Sequence, residues 1–261
     1  GLPERVPDTA AWPRFLSETK ARNFDLAIQM HGDGSRTNAL VESFGARCNA
    51  GFAPGPKEGL FIKYPESGAE PSRLLRLAAF LGADTSNTRL EFPLQDEDDA
   101  HWANYPAVRS LKAGRYLCIH AGARAAEKRW PPESFAAVAD AVAQETGLQV
   151  VLTGSEHETD LTRAVANAMK MPAIDAAAPV PVGALAAVIA RSRLLIGNDT
   201  GTSHLAVALA VPSVIVFRAS DLERWAPLDR VRHRVVEDRE GTQIDAVLRE
   251  ARSLLKLGPG H

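Results

Sequence analysis

The sequence predicts an α/β protein built on parallel sheet, and three observations carry that expectation. Short apolar runs alternate with longer segments of helical periodicity along most of the chain, the pattern of strands joined by helical crossovers. The 261 residues suit two compact domains or one large one. The runs themselves, such as Val150-Val151-Leu152 and Val214-Ile215-Val216-Phe217, are apolar without alternation, as strands covered on both faces are.

The elements follow in order. A helical stretch over 12–22 precedes the strand candidate Asp25-Leu26-Ala27-Ile28-Gln29-Met30. A helix over 37–44 is stopped by Gly45, and another over 71–81 has Pro71 in its first turn and Gly82 after its last. From Glu91 to Trp102 the pattern breaks. Gln95-Asp96-Glu97-Asp98-Asp99 reads either as an Asp-x-Asp metal site or as a solvated linker between domains, and the linker is the favoured reading. Beyond it come strands at 116–119, 150–153, 173–174, 194–196, 213–217 and 235–236. They are separated by helices at 134–146, 159–169, 182–191 and 203–210, with a last helix at 244–255. In the helix at 134–146, Phe135, Val138 and Val142 share one face, after Pro131 and Pro132 and before Gly147.

Composition excludes several classes. Hydrophobic residues make up 45% and charged residues 24%, as in ordinary globular proteins. Lys and Arg number 30 against 32 Asp and Glu, for a net charge of -2, so no global positive charge drives nucleic-acid binding. Cys48 and Cys118 cannot form a disulfide framework, and a reducing compartment is the default expectation. The apolar runs fall far below the ~20 residues that span a bilayer, and Gly1-Leu2-Pro3-Glu4-Arg5 has no apolar signal region and no Met.

In an open parallel sheet, ligands bind outside the C-terminal ends of the strands, so the turns after the strands are the places to inspect. The first is His120-Ala121-Gly122-Ala123-Arg124 with Lys128-Arg129-Trp130-Pro131. Gly122 permits close backbone approach, and Arg124, Lys128 and Arg129 bring charge suited to a phosphate; alone, Lys128 and Arg129 read more readily as solvated surface. The second is Thr153-Gly154-Ser155-Glu156-His157-Glu158. Its carboxylates suit either a ribose diol or the dipole of the following helix. The third is Gly197-Asn198-Asp199-Thr200-Gly201-Thr202-Ser203-His204, wholly polar or glycine between two apolar elements. Thr200, Gly201 and Thr202 would form an anion site at a helix N-terminus, with Asp199 or Thr200 alternatively only a cap. His204 could contact phosphate or pack as a structural side chain. Asn198-Asp199-Thr200 matches a glycosylation pattern only by chance in such a turn. Walker, Gly-x-Gly-x-x-Gly and Gly-x-Ser-x-Gly patterns are absent in any sensible setting. The pattern is that of a site for a phosphorylated ligand without a protein nucleophile.

These same turns, with Pro212-Ser213-Val214-Ile215-Val216-Phe217 and Asp221-Leu222-Glu223-Arg224-Trp225-Ala226-Pro227, resemble glycosyltransferase family 9, which contains the ADP-heptose:lipopolysaccharide heptosyltransferases. Phe24-Asp25-Leu26-Ala27-Ile28-Gln29-Met30-His31-Gly32, Thr37-Asn38-Ala39-Leu40 and Gly45-Ala46-Arg47 resemble the later part of its N-terminal domain. The resemblance implies a GT-B architecture of two Rossmann-like domains. Residues 1–105 would be the acceptor-side domain, and 106–261 the domain that binds the nucleotide sugar. Donor binding would then fall to Lys128 on the diphosphate, Glu158 on the ribose, and Thr200, Gly201 and Thr202 around the phosphates. Asp199 would stand near the sugar, and Gly122, Ala123 and His204 would complete that set. The donor would be ADP-linked, the acceptor a saccharide or glycolipid, and the reaction free of metal and cofactor. The family setting is cytoplasmic with room for peripheral contact at the inner membrane, though no amphipathic stretch is strong enough to claim one.

The chain departs from the family at its start. Members open on a strand and a Gly-Asp turn whose Asp is taken as the general base. This sequence has no such opening, so the N-terminal domain is expected to be incomplete and the base absent from the chain. The start at Gly1 reads more as a cut than as a complete beginning. His31, Asp33 and Asn38 are acceptor-side candidates, with turn and cap roles equally open. Arg218 stands where a Gly is expected, so the loop over 218–225 is expected to differ. Two further readings stand beside the transferase: a nucleotide-sugar epimerase of related architecture, and a non-catalytic nucleotide-binding module or fragment.

Overall fold

The computed structural model describes residues 8–256; the Gly1–Arg5 opening lies outside them. Chain contacts divide the protein into two compact units, Gly1–Thr88 and Arg89–His261.

The first unit carries α1 (Trp12–Ala21), β1 (Leu26–Gln29), α2 (Asn38–Glu42), β2 (Cys48–Ala53), β3 (Leu60–Lys63) and α3 (Glu70–Phe80). Its three strands run parallel in the order β1-β2-β3. Sequence periodicity finds β1 and the helices but not β2 or β3. Cys-Asn-Ala-Gly-Phe-Ala lacks β-branched residues, and Leu-Phe-Ile-Lys is too short to show a period. Pairing with neighbours makes these segments strands. Cover on both faces does not extend to the edge strand β1, where Leu26 and Ile28 stay exposed.

The second unit begins with α4 (Asp96–Asn104), the acidic stretch that sequence alone favours as a solvated linker. Its acidic side chains are largely solvated, as expected, but three contacts make it a helix docked on this unit rather than a free linker. Gln95 N donates to Asp98 Oδ2 at 2.9 Å and starts the helix. Arg191 Nη2 donates to Asp99 Oδ1 at 2.7 Å, and Trp102 stacks on Tyr116 with ring centroids 6.1 Å apart. The Asp98 carboxylate also presses on Gly183, where any Cβ would overlap it. That places a carboxylate at the first turn of α7 (Val182–Ala190), where the helix dipole favours it. Between these helices lie β4 (Tyr116–His120), α5 (Pro132–Thr146), β5 (Gln149–Leu152), α6 (Thr159–Ala168) and β6 (Ala173–Asp175). After α7 follow β7 (Leu194–Asn198), α8 (Gly201–Ala208), β8 (Ser213–Phe217), the short α9 (Leu222–Trp225), β9 (His233–Glu237) and α10 (Ile244–Lys256).

The six strands are all parallel, in the order β6-β5-β4-β7-β8-β9. The order reverses direction between β4 and β7, the switch point at which such sheets open a crevice. Alternate residues sort to the two faces. Leu117, Ile119, Val150, Leu152, Leu194, Ile196, Val214 and Val216 pack with α5 and α10. Tyr116, Cys118, Val151 and Leu195 pack with α7 and α8. Burial pushes the Cys118 thiol up to about 12, which makes it an inert core residue. Gly147 ends α5 in the left-handed conformation at φ 70°, its N–H donating to Ala143 O at 2.8 Å. Among the described residues no helix is long and apolar enough to cross a membrane.

His233, buried at the start of β9, lies 2.8 Å from Ser213 Oγ, and burial holds its imidazole down to about 4. An unfolded histidine takes up its proton near ~6.5. Stability from this group is therefore full above that value and is lost as pH falls towards about 4. Urea unfolding at pH 7 and pH 5 should show the native protein losing about 2 kcal/mol more than His233→Gln over that interval. Equal losses would show that His233 is not the acid-sensitive group.

Candidate functional site

The site candidates of the second unit meet at the switch point. Asn198, fully buried at the end of β7, builds the floor. Its Nδ2 donates to Ala121 O at 2.9 Å and Gly122 O at 3.2 Å, and its Oδ1 accepts from Trp130 N at 2.9 Å. This side chain joins the turn after β4 to the turn after β7. The buried Trp130 is held again at its ring, where Nε1 donates to Asp238 Oδ2 at 2.7 Å. Asp238 also accepts from the backbone N–H groups of Gly241, Thr242 and Gln243. Burial alone would raise this carboxyl, but the four donors hold it below the ordinary aspartate range.

Arg218, where sequence reading expects a glycine, closes the same knot. Its guanidinium donates to the carbonyls of Arg129, Asp238 and Arg239. The departure thus serves to clamp the loop that carries Lys128. Arg129 is occupied in its turn, its Nε donating to Ala123 O at 2.8 Å.

Lys128 Nζ lies 3.2 Å from Asp199 Oδ2, with the lysine one-third exposed and Asp199 only 4% exposed. His204 Nε2 lies 3.9 Å from Asp199 Oδ1, and its ring lies 6.1 Å from that of Trp225. Burial lowers the His204 pKa, Asp199 opposes this and Lys128 reinforces it. A neutral imidazole packed on an aromatic ring fits the structural role left open for this residue. Thr200 precedes α8 in extended conformation and is its N-cap, in a capping box with Ser203; its buried Oγ1 donates its hydrogen to no group of the protein. The first-turn amides of Gly201 and Thr202 point out of the helix start, where no carbonyl of the helix itself can take them.

Glu158 comes to the same mouth from the turn after β5. Its Oε2 accepts from Ser155 N and Ser155 Oγ, both at 2.8 Å. Burial would raise its pKa, but the hydrogen bonds from Ser155 and the charge of Arg129 bring it below the ordinary glutamate value. The carboxylate lies directly over Gly122, so that any Cβ there would overlap it. The structure therefore brings Gly122, Ala123, Lys128, Glu158, Asp199, Thr200, Gly201, Thr202 and His204 to neighbouring turns of one sheet edge. His120, Asn198 and Asp238 belong to the same framework and are missed as site residues. A polar residue at the end of an apolar strand run was the available signal.

The remaining candidates belong to the first unit, in the turn after β1. Asp33 Oδ1 accepts from Ser35 N and Ser35 Oγ at 3.0 and 2.7 Å, and those bonds lower its pKa. Asn38 is buried, its Nδ2 donating to Phe52 O at 3.0 Å while its Oδ1 lacks a partner. His31 is exposed, and its carbonyl accepts from Gln29 Nε2. These bonds are turn-forming ones for Asp33 and His31 and strand-tying for Asn38. Among the described residues, no group of three or more His, Cys, Asp and Glu is placed to hold a metal ion.

The sequence model of the family described as "Glycosyltransferase family 9 (heptosyltransferase)" matches residues 12–250. Lipopolysaccharide heptosyltransferase 3 of Escherichia coli is 34% identical over 115 residues, which is 43% of this chain and 34% of that protein. Lipopolysaccharide heptosyltransferase 1 of E. coli O18:K1:H7 is 28% identical over 228 residues, 83% of this chain and 66% of that protein. The chain thus spans about a third of the first relative's length and just under two thirds of the second's. Among solved structures, a glycosyl transferase family 9 protein from Veillonella parvula superimposes with a TM-score of 0.82 at 24% identity, over 95% of this chain and 79% of that one. An E. coli heptosyltransferase with ADP superimposes at 0.72 and 19% identity, over 96% of this chain and 79% of that one. These structures share the fold.

The contact of Gly122 with Glu158 can be tested without any ligand. Gly122 has no left-handed φ, so Ala fits the backbone and only the carboxylate must move. Gly122→Ala should fold, lose about 1 kcal/mol in urea unfolding, and speed deuterium exchange at Ser155 N–H, which loses its Glu158 acceptor. Unchanged Ser155 exchange would mean that the carboxylate does not lie over Gly122.

Proposed function

Since the chain belongs to glycosyltransferase family 9, we propose that it takes part in moving a heptose-type sugar from an ADP-linked donor to a saccharide acceptor of lipopolysaccharide or a related surface glycan. One observation carries the reading. At the switch point of a six-stranded parallel sheet, a lysine ammonium, a threonine hydroxyl whose hydrogen no protein group accepts and the free amides of a helix start belong to adjoining turns. That set suits the diphosphate of a nucleotide sugar, and the related E. coli structure with ADP supports the choice of nucleotide.

On this reading the second unit is the donor side. Glu158, held ionised by Ser155, accepts the hydroxyls of the ribose. The N-terminal turn of α8 and Lys128 meet the diphosphate, and Asp199 stands beside the transferred sugar. As the glycosidic bond breaks, negative charge grows on the departing diphosphate. Lys128 and the helix start are fixed in place beforehand, so they stabilise that charge without reorganising. Neither a metal nor a protein nucleophile is invoked. The first unit is the acceptor side, with His31, Asp33 and Asn38 as its candidates. No residue is assigned as base to the acceptor hydroxyl. The setting is cytoplasmic, with the acceptor presented at the inner membrane.

Calorimetry with ADP, UDP and GDP tests the assignment. ADP should bind best, and Lys128→Ala should weaken it by about ten- to a hundredfold, the worth of one charged hydrogen bond. If the native chain binds none of the three, the site is not a nucleotide site.

A further inference from the structure

His120 ends β4, a strand whose side chains are all buried. The reading above gives this residue no task. A polar ring at that depth needs a partner on each nitrogen, and it has both. Nδ1 lies 3.1 Å from Thr153 Oγ1, just past β5, and Nε2 lies 3.1 Å from Thr202 Oγ1, in the first turn of α8.

The direction of each bond follows from the next atom along. Thr153 Oγ1 lies 3.3 Å from Ile119 O, and only the hydroxyl can donate there. With its one hydrogen committed, Thr153 Oγ1 must accept from His120, which puts the ring proton on Nδ1. Nε2 then carries a lone pair, and Thr202 must donate to it. Burial favours the neutral ring that this pattern requires, outweighing the opposing pull of the Glu158 carboxylate and the Thr153 backbone.

Resting on the nucleotide-sugar reading, we propose that His120 is a positioning residue that fixes the hydrogen-bond polarity of the donor site. It draws the Thr202 hydroxyl hydrogen into the sheet. Thr202 Oγ1 is left with lone pairs only and cannot donate to a phosphate oxygen. Thr200 is in the opposite condition: its Oγ1 faces the Ser203 amide in the capping box, and its hydrogen is given to no group of the protein and is free to donate. The two threonines that flank Gly201 therefore differ in kind. Thr200 gives its hydroxyl to the diphosphate, whereas Thr202 contributes its amide and anchors the helix start through His120.

The tautomer can be read directly from long-range proton–nitrogen spectra of the full chain, with His120→Gln identifying the resonance by its loss. The expected signature at pH 7 is a neutral ring protonated at Nδ1. Protonation at Nε2 overturns the proposal, whatever the nucleotide does. ADP titration is the second arm. A glutamine amide offers one donor and one acceptor, so His120→Gln should stay within about threefold of native affinity. His120→Phe keeps the bulk, loses both bonds and should weaken ADP about tenfold. A folded His120→Phe that binds as tightly as the native chain overturns the proposal. Should that variant not fold, the threonines decide. Thr200→Val should cost about tenfold and Thr200→Ser little, and a harmless Thr200→Val overturns the proposal. If the native chain binds no nucleotide, the functional reading fails, and the spectrum still decides the His120 assignment.

Discussion

The mouth of the six-stranded sheet depends on one side-chain amide, that of Asn198. A parallel sheet brings its strand ends to one edge, but nothing in strand pairing orders the turns that leave it. Asn198 supplies that order by donating to two carbonyls after β4 and accepting the amide of Trp130. Being fully buried, it must satisfy its amide within the protein. The turns therefore have little freedom to move apart, because each departure would orphan a buried group at a cost of about 1–3 kcal/mol.

A second tie makes the first one rigid. Trp130 is pinned from both ends, through its backbone by Asn198 and through its ring by Asp238. Asp238 gathers the turn after β9 on the same carboxylate, and Arg218 reaches from the end of β8 to three carbonyls of these segments. Side chains at the ends of β7, β8 and β9 thus converge on the loop that presents Lys128. A cation on a long flexible stem loses much entropy when it is held. Fixing the backbone beneath it removes part of that cost before any ligand arrives.

The second unit was largely legible in the sequence because its strands are apolar on both faces and its turns are polar in blocks. The places where reading failed share a cause. The acidic helix α4 has a local start, in the Gln95–Asp98 bond and the four acidic residues of its first turn, but Arg191, Tyr116 and the start of α7, which dock it, are far from it in sequence. Strand β2 exists through pairing rather than propensity, and β3 is too short to show its period. In the site, the residue types and their spacing announced an anion-binding edge, and Lys128, Glu158 and Thr200 stood out on those grounds. His120 did not, because at the head of a ligand-side turn it was one residue among several, and its two hydroxyl partners lie on other elements. Those partners follow β5 and open α8, and only the strand order places them beside β4.

Lys128 and Asp199 show how such an edge can hold charge before it is used. A carboxylate that is 4% exposed needs a cation, and Lys128 stands 3.2 Å from it, itself one-third open to solvent. Lys128 is therefore the more open of the two to a ligand from solution. An arriving diphosphate need not evict Asp199, because an ammonium carries three donors and can serve two anions at once. Between them the lysine is held by its buried partner and pulled by the incoming phosphate. In the proposed reaction, negative charge gained by the diphosphate on bond cleavage would strengthen the second pull alone, so the same lysine would bind the products' charge more tightly than the substrate's. The proposed chemistry would gain from that difference, since only an interaction that grows along the reaction lowers its barrier.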